Sequence, residues 1–356
     1  MDPCKSCGKT ISPKEEDESL KKVYLTVDVE CHNINKYNQY IEGRIGEEKY
    51  GIEKILSLAE KHRIPVNFFL DIPEAFRYGD EYIEHIINII RKYNQPVYLH
   101  LHSDYITGDE QRTFFWQYTK EEQFDILTKG FCKYKELLGY DAKLFRIGRY
   151  GADSNMYENL NKIVKGSLID TSYCYSSRNM CRYNPEESIN RPFRNGHVVV
   201  FPNTRFCGFR ILNKKYYFNN DITSANLSEL KRVLSQTRLQ NVICTMHVWD
   251  LMKSYFYTDK IRPNYSKINT FEEYVEFAKN NGWTFGKLED FQLSGEYEDD
   301  PLDLTSGFLG FIRGCLNTFI RMQRVARKNK KYFAIYSIFY CCLAIIILLL
   351  FKSLIL

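Results

Sequence analysis

The sequence predicts an α/β protein whose body is a distorted, TIM-like (β/α) barrel of seven to eight strands, followed by a C-terminal transmembrane helix. Three observations support this prediction. Apolar segments of strand length alternate with segments of helical periodicity between residues 22 and 291, as in a parallel sheet covered by helices. Polar residues follow several of these strands at the end where (β/α) barrels carry their active sites. About 20 residues near the C-terminus carry no charge.

The elements of the barrel follow from the spacing of apolar residues along the chain. Strands are predicted at residues 22–30, 64–71, 96–102, 143–148, 166–173, 197–202, 241–250 and 284–288. Helices are predicted at residues 51–63, 73–94, 120–138, 154–164, 224–238 and 270–282, where apolar side chains recur every three or four positions. Pro73 and Ser224 mark helix starts, and Gly282 marks a helix end. Residues 175–196 and 203–223 show neither pattern and are predicted to be long loops.

Four segments lie outside the predicted barrel. They are a disordered tail at residues 1–21, an acidic linker at 292–307, a basic amphipathic segment at 308–331 and the transmembrane helix at 332–351. Cys4 and Cys7 form a CxxC pair in the tail, but no second pair follows nearby to complete a structural zinc site. The uncharged run from Tyr332 to Phe351 is long enough to span a bilayer.

The charge of the chain is concentrated in the segment before the predicted span. Residues 307–331 contain seven basic residues and no acidic one, and without these and Lys352 the formal net charge of +5 becomes −3 for residues 1–306. A nucleic-acid-binding protein would carry its positive charge on the folded domain. The positive-inside rule places the body in the cytoplasm, and 11 cysteines without a disulfide framework fit a reducing compartment. We therefore expect a single-pass C-terminal membrane anchor, a cytoplasmic catalytic body and no nucleic-acid partner.

Two of the predicted strands place acidic and imidazole side chains together. Side chains alternate along a strand, so Asp28 and Glu30 share one face of the first strand, and His100, His102 and Asp104 share one face of the third. Both sets lie at carboxyl ends of strands, which meet at one rim of a barrel. Carboxylates and imidazoles meeting there suit a divalent metal ion. A hydrogen-bonded polar cluster without a metal is the alternative interpretation.

Three other strands add polar residues at the same rim. Arg146 lies on the polar side of its strand in "FRIGRYGAD", and Arg149 follows just beyond it. Asp170 ends the strand in "LIDTSY", and His247 ends a late strand in "ICTMHVWD". A histidine at a strand end is a candidate functional residue, although a histidine that is merely hydrogen-bonded in the core is the common case.

This set of motifs resembles the polysaccharide deacetylase family, which is also called the NodB homology domain or carbohydrate esterase family 4, over about residues 22–290. "TVDVE" is similar to the family's first motif, and "GIEKILSLAEKHRIPVNFFL" is similar to the stretch that follows. "VYLHLHSD", "FRIGRYG", "LIDTSY" and "MH" stand where the family has its later motifs. The chain departs from the family at Val29, where a second aspartate is usual, and at Asp104, where the second histidine is usual.

The resemblance implies metal-dependent hydrolysis of an N-acyl group, usually acetyl, on an amino sugar, with zinc as the expected ion. It implies an enzyme of the hydrolase class that acts on carbon–nitrogen bonds other than peptide bonds. By this resemblance the metal ligands are Glu30, His100 and His102, with Asp104 as a further candidate for the same role.

The resemblance also implies the acid and base of the reaction. Asp28 is the expected general base, and Arg146 is expected to orient and neutralise it. His247 is the expected general acid, and Asp170 is expected to adjust its pKa through its charge. The metal and a backbone N–H of a rim loop are expected to stabilise the oxyanion.

The expected membrane anchor narrows the substrate to a lipid-linked or membrane-proximal glycan. Two alternatives stay open at this point. One is a hydrolase that depends little on metal and acts on another C–N bond, such as a formamide or a ureide. The other is a catalytically degenerate barrel that only binds a saccharide or a protein. The metal content of the protein distinguishes these alternatives from the deacetylase.

Overall fold

The computed structural model describes residues 21–175, 180–185, 188–255, 258–293, 297–326 and 341. The strands are β1 Lys21–Val29, β2 Arg44–Ile45, β3 Glu48–Lys49, β4 Asn67–Asp71, β5 Val97–Leu101, β6 Leu144–Ile147, β7 Leu168–Asp170, β8 Phe193–Asn195, β9 Val198–Val200, β10 Arg205–Ile211, β11 Lys214–Asn219, β12 Asn241–His247, β13 Met252–Tyr255, β14 Thr258–Pro263 and β15 Trp283–Phe285. The α-helices are α1 Ile52–His62, α2 Ala75–Tyr78, α3 Asp80–Lys92, α4 Ser103–Thr107, α5 Lys120–Leu138, α6 Ser154–Ile163, α7 Leu227–Gln236, α8 Tyr265–Asn280 and α9 Gly307–Ala326.

The main sheet is mostly parallel and has the strand order β12-β1-β4-β5-β6-β7-β9-β8. Every neighbouring pair along this order is parallel except β8 and β9. Strand β15 pairs with the first residues of β1, whereas β4 pairs with the last ones. The mixed α/β architecture and the parallel sheet predicted from the alternating pattern are therefore present, because long amphipathic helices connect strands that run the same way.

The barrel does not close through a strand ladder between β9 and β12 within the described residues. The gap is crossed by a side-chain hydrogen bond and by an isolated β-bridge between Asp221 and Thr245 instead. The N–H of Ile243 donates to Oγ1 of Thr204 at 2.9 Å, and the N–H of Thr245 donates to the carbonyl of Asn220 at 3.1 Å. The result is a distorted barrel with a local opening on one side.

The barrel interior has an apolar lower half. Its members are Tyr24, Phe69, Tyr98, Leu144, Ile169, Val199, Phe201, Ile243, Leu288 and Phe291. Most come from the beginnings of the parallel strands, and the last two come from the segment that follows β15. Since alternate residues of a strand point to the same side, the next inward positions lie above this layer, towards the carboxyl ends of the strands.

Several predicted boundaries differ from those in the structure for local reasons. The predicted helix at 73–94 is interrupted at Gly79, whose φ of 92° is incompatible with a helix and separates α2 from α3. Helix α7 is capped by Asn226 and not by Ser224, because the Asn226–Glu229 pair forms a capping box. The predicted loop at 203–223 contains the hairpin of β10 and β11.

The predicted fold class is wrong in its C-terminal transmembrane helix. Among the residues that the structure describes, no helix has the length and apolar character needed to cross a membrane. The expected span at 332–351 lies outside those residues except for Cys341. The expected location, a single-pass membrane protein with a cytoplasmic body, was inferred from that helix and is wrong for the same reason. The expectation of a lipid-linked substrate depends on the same helix and loses its basis.

Both ends of the chain also carry sequence predictions. The predicted tail at 1–21 and its CxxC pair lie outside the described residues apart from Lys21, which begins β1. The acidic segment before α9 is attached to the barrel wherever it is described. The carboxylate of Asp299 accepts the N–H groups of Ile189 and Asn190 at 2.8 Å, and Leu302 and Leu304 are buried.

Candidate active site

The carboxyl ends of the parallel strands surround a cavity of about 230 Å³. It is lined by Asp28, Glu30, His32, His100, His102, Arg146, Ile147, Arg149, Tyr150, His247 and Trp249. The strand register brings the distant segments together, because Asp28 is paired with His247 across β1 and β12 and His100 is paired with Arg146 across β5 and β6. Of the predicted site residues, Asp28, Glu30, His100, His102, Arg146 and His247 line this cavity.

Glu30, His100 and His102 form a buried group whose ligand atoms all lie within 4.8 Å of one another. Oε2 of Glu30 is 2.7 Å from Nε2 of His102 and 3.9 Å from Nε2 of His100. This oxygen has no hydrogen bond of acceptable geometry among the described residues, although it is fully shielded from solvent. An orphaned buried carboxylate oxygen that faces two imidazole nitrogens is the arrangement expected of groups that share a cation.

The two histidine rings are held from behind. Nδ1 of His100 is 3.0 Å from the carbonyl of Arg146, which fixes the tautomer with the proton on Nδ1 and leaves the Nε2 lone pair facing Glu30. The backbone N–H of His102 donates to Oδ1 of Asp71 at 3.1 Å, which fixes the main chain that carries the second ring. Oδ1 of Asp104 lies 3.8 Å from Nδ1 of His102. Asp104 thus stands behind the His102 ring and outside the group of three.

Gly148 makes room for the His102 ring. A Cβ atom at this position would lie 2.6 Å from Cδ2 of His102 and 2.7 Å from its Nε2. Such a contact is far shorter than van der Waals separation, so any larger residue would displace the ring. The glycine of "FRIGRYG" therefore positions a side chain of the neighbouring strand.

Burial and charge keep these groups in the protonation states that bind a metal. Burial lowers the pKa of His100 to about 4, so the imidazole is neutral at physiological pH. Burial alone would raise the pKa of Glu30, but the neighbouring imidazoles of His102, His32 and His100 outweigh it and hold the pKa well below its usual range. The site thus offers a neutral His100 nitrogen and the Glu30 carboxylate, with the His102 nitrogen beside them.

Asp28 and Arg146 form a buried ion pair beside this group. Nη1 of Arg146 donates to Oδ1 of Asp28 at 2.5 Å, Nη2 donates to Oγ1 of Thr26 at 3.1 Å, and Nε donates to Oγ1 of Thr171 at 3.0 Å. The Arg146 side chain is fully buried and lies over the ring of Phe69. Its guanidinium is therefore fixed by three acceptors, and it in turn fixes one oxygen of Asp28.

His247 lies beside Asp28 and Glu30, at the end of the neighbouring strand β12. Its Nε2 lies 3.8 Å from Oε1 of Glu30, and its Nδ1 is 3.2 Å from Oγ1 of Thr223, which donates to Oδ2 of Asp250 at 2.5 Å. Burial lowers the pKa of His247, but the carboxylates of Asp250, Asp28 and Glu30 raise it by more, so the net pKa is raised. Asp250 is thus the acidic residue that acts most strongly on His247.

Asp170 occupies a different place from the one expected for a partner of His247. It is fully buried, and its oxygens accept hydrogen bonds from the hydroxyls of Tyr157, at 2.8 Å, and Ser172. Burial raises its pKa to about 6. Asp170 does not line the cavity and is absent from the main influences on the His247 pKa.

An aromatic wall that the sequence reasoning missed closes one side of the cavity. The Trp249 indole stacks on the His247 ring, with centroids 4.8 Å apart and planes at 21°. Tyr40 and His32 each lie about 5.5 Å from the Trp249 ring. The "HVWD" segment placed Trp249 near His247 in sequence, but only the fold shows that residues from 32 to 40 join it.

Two further acids, Asp71 and Glu74, are buried close to the histidines. Burial raises the pKa of Glu74 to about 8, and one of its oxygens accepts a hydrogen bond from Tyr82 at 2.8 Å. Burial and the charge of Glu74 also raise the pKa of Asp71 well above its usual range. Both carboxyls thus hold their protons to a higher pH than ordinary carboxyls do.

Comparison with known proteins gives matches among solved structures. No protein-family model matches the chain, and no curated protein matches it. A family 4 carbohydrate esterase from Streptomyces lividans, in complex with acetate, is 11% identical at a TM-score of 0.39, with 75% of this chain and 93% of that chain covered. The carbohydrate esterase family 4 domain of a multidomain xylanase from the hindgut metagenome of Trinervitermes trinervoides is 12% identical at a TM-score of 0.37, with 76% and 89% covered.

A pseudoenzyme of carbohydrate esterase family 4 from Bacillus anthracis is also similar, at 13% identity and a TM-score of 0.40, with 76% of this chain and 64% of that chain covered. The family that the sequence motifs resemble is thus the family named by these structures. Because each of these TM-scores is below 0.5, the function of this chain has to be argued from its own side chains.

Proposed function

We propose that this protein is a metal-dependent hydrolase that removes the N-acyl group, an acetyl group, from an N-acylated amino sugar. The observation that carries this proposal is the convergence of three elements on one cavity. These are the Glu30–His100–His102 group, the Asp28–Arg146 pair and His247. Metal-dependent amide hydrolysis uses a Lewis acid, a base and an acid within reach of one bond, and this arrangement has residues for all three roles.

Zinc is the ion that fits the donor set best. Two imidazole nitrogens and one glutamate oxygen are a ligand set used by catalytic zinc sites, which leave a position open for water or substrate. The orphaned Oε2 of Glu30 and the fixed tautomer of His100 both suit such an ion. When bound, zinc would polarise the acyl oxygen and lower the pKa of water.

The remaining chemistry belongs to the residues of the chain. Asp28 would accept the proton of the attacking water, because its second oxygen is free of Arg146, which holds the first. His247 would give a proton to the departing amine, and its raised pKa favours the protonated form that this role needs. The rim loop at 148–151 borders the cavity through Arg149 and Tyr150 and is the place where a backbone N–H would stabilise the oxyanion.

The test combines metal analysis with a deacetylation assay on the full chain. We expect about one zinc ion per chain after purification in zinc-containing buffer, and release of acetate from N-acetylated amino sugars. His100→Ala should remove zinc and activity together, because it deletes one of three ligands. His85→Ala is the matched control, since His85 is exposed on α3, and it should keep both.

Two results would contradict the proposal. A wild-type protein that contains no metal after zinc loading would favour the alternative of a hydrolase that depends little on metal. A protein that binds zinc through His100 but releases no acetate from any N-acetylated amino sugar would favour a barrel that only binds its ligand.

A further inference from the structure

The rim loop of the cavity contains two consecutive residues in the left-handed conformation. Arg149 has φ 56° and ψ 18°, and Tyr150 has φ 55°. This region is unfavourable for residues with a Cβ atom and is normally occupied by glycine. Strained residues of this kind persist where the surrounding structure holds them, and they cluster at functional sites. The loop therefore keeps an arginine at a position where glycine would be the easier choice.

Arg149 points its charge at the mouth of the cavity. Its side chain lines the cavity and is exposed to solvent. Among the described residues, no carboxylate lies within ion-pair distance of its guanidinium, whereas Arg146 in the same cavity is paired with Asp28. The mouth thus holds a cation that no carboxylate of the described part of the chain neutralises.

The balance of charges in the cavity leaves an excess of positive charge for a ligand. Apart from its histidines, the lining has four residues with a formal charge, and they are Asp28, Glu30, Arg146 and Arg149. Asp28 is neutralised by Arg146, and Glu30 would be neutralised by the divalent ion that it helps to bind. The net charge that a ligand would meet in the cavity is then positive. It would come from the bound ion in the interior and from Arg149 at the mouth. A guanidinium binds carboxylate or phosphate oxygens in a two-pronged geometry.

The size of the cavity limits which part of a ligand can enter it and approach this positive charge. Its volume of about 230 Å³ is below the roughly 300–1,000 Å³ of pockets that enclose drug-sized ligands. One sugar ring with its acylamino group is the portion of a substrate that fits, with the Trp249 indole as an apolar wall. An anionic substituent on that ring, or on the atom attached to it, would reach the mouth where Arg149 lies.

We infer that Arg149 is a specificity-determining residue and that the preferred substrate is an N-acylated amino sugar that bears a carboxylate or phosphate group. This inference rests on the proposed function, because it concerns the same cavity and names the class of sugar that enters it. Arg149 binds the anionic group and thereby orients the ring, while the acyl group faces Glu30, His100 and His102.

The test measures discrimination between sugars that share the same acetamide. The probes are N-acetylglucosamine as the neutral sugar, N-acetylglucosamine 1-phosphate as the phosphate and N-acetylmuramic acid as the carboxylate. We expect the wild type to have a kcat/KM about 10- to 100-fold higher on at least one anionic probe than on the neutral one, the scale of a hydrogen bond to a charged group. Which of the two anions is preferred distinguishes phosphate from carboxylate.

Arg149→Gly should reduce this ratio to near one, and Arg149→Lys should retain part of it because it keeps the charge without the planar fork. The matched control is Arg63→Gly. Arg63 is also an exposed arginine in the left-handed region, with φ 50°. It follows α1 and precedes β4, so it lies at the amino ends of the strands, away from the cavity. Arg63→Gly should keep the wild-type ratio.

Melting temperature and binding are measured on the same variants. Both glycine variants should melt close to the wild type, because relief of backbone strain opposes the greater flexibility of glycine in the unfolded chain. Calorimetric titration of wild type and Arg149→Gly with the three probes gives affinities that do not depend on turnover. The preference for an anionic probe should weaken as salt rises.

The possible failures are distinguishable. Equal kcat/KM values on all three probes in the wild type would overturn this inference and leave the proposed function intact. Arg149-dependent binding of an anionic probe without release of acetate from any probe would overturn the proposed function and leave the anion preference standing. An equal loss of preference in Arg63→Gly would overturn the assignment to Arg149.

Discussion

The lower and upper halves of the barrel interior are built from the same parallel strands but have opposite chemistry. On β1, Tyr24 belongs to the apolar lower layer and Asp28 to the polar rim, four residues further along the same face. On β12, Ile243 and His247 repeat this pattern. Side chains that are four residues apart on a strand point to the same side, so both residues of each pair face the barrel interior. Inward residues near the beginnings of these strands therefore pack the core, whereas inward residues at the carboxyl ends line the cavity.

This difference shows how the fold accommodates buried charge. The lower layer removes large aromatic and aliphatic side chains from water, which stabilises the barrel. The upper layer contains a fully buried arginine, two buried acids and two buried histidines, groups that are costly to bury unless they are paired or bind a metal. If the two halves are independent, substitutions below should change stability, and substitutions above should change metal binding or rate.

The largest effect is expected from a substitution in the lower layer. Phe201 is 1% exposed and packs against Phe291 with ring centroids 4.6 Å apart. Phe201→Ala should reduce the free energy of unfolding by about 3–5 kcal/mol, the usual cost of this truncation in a core, as measured by urea denaturation. The zinc content of the folded fraction should be unchanged.

Phe76→Ala is the control for this substitution, because Phe76 is 47% exposed on α2. It should cost about 1 kcal/mol or less. Loss of zinc from folded Phe201→Ala would show that the two halves of the interior are not independent.

A smaller effect in free energy is expected from the proposed base. Asp28→Asn preserves the size of the side chain but removes the proton acceptor, so kcat should fall at least about 10²-fold, or about 2.7 kcal/mol. Zinc content should be kept, because Asp28 is outside the group of three ligands. Asp141→Asn, at an exposed position, is the control. A kcat within a few-fold of the wild type would refute the role of Asp28 as base.

A still smaller effect is expected from the glycine beside the metal ligands. Gly148→Ala places a methyl group against the His102 ring, which should displace that ligand and weaken zinc binding about 10- to 100-fold, as for other changes just outside a metal's ligand set. Gly166→Ala is the control, since nothing lies within 4 Å of a Cβ atom there. Competition with a chelator gives both affinities, and equal values would contradict the positioning role of Gly148.

The smallest effect is expected in the pH dependence of the rate. The pKa of His247 is raised mainly by Asp250, so as an acid it is active at low pH and loses its proton as pH rises through that raised pKa. Asp250→Asn removes this charge and should move the alkaline limb of the kcat profile to lower pH. The melting temperature of the variant reports separately on the hydrogen bonds that Asp250 makes. An unmoved limb would assign that limb to another group.

The alternating strand pattern was sufficient to predict the polar rim. In "TVDVE" and "VYLHLH" the polar residues occupy every second position, and this periodicity is a local property of the chain. It placed Asp28, Glu30, His100 and His102 at one rim, where the structure has them. The metal and the catalytic roles of these residues remain predictions.

Other features depend on the path of a loop after a strand or on contacts between segments that are distant in sequence. Asp170 ends a strand just as His247 does, but the neighbour of His247 is Asp250, because a turn after β12 brings its Oδ2 within 2.8 Å of the His247 N–H. His32 and Tyr40 reach Trp249 across more than 200 residues. No periodicity encodes such contacts.

The sequence by itself determined which residues face the interior and in which order the strands and helices follow, because side-chain direction and amphipathic spacing are local. Only the tertiary structure decided that Asp104 stands behind His102, that Asp250 and not Asp170 acts on His247, and that Arg149 is held in a left-handed conformation at the mouth of the cavity. Each of these is set by the path of a loop and by distances between separate strands, which depend on the packing of the whole barrel.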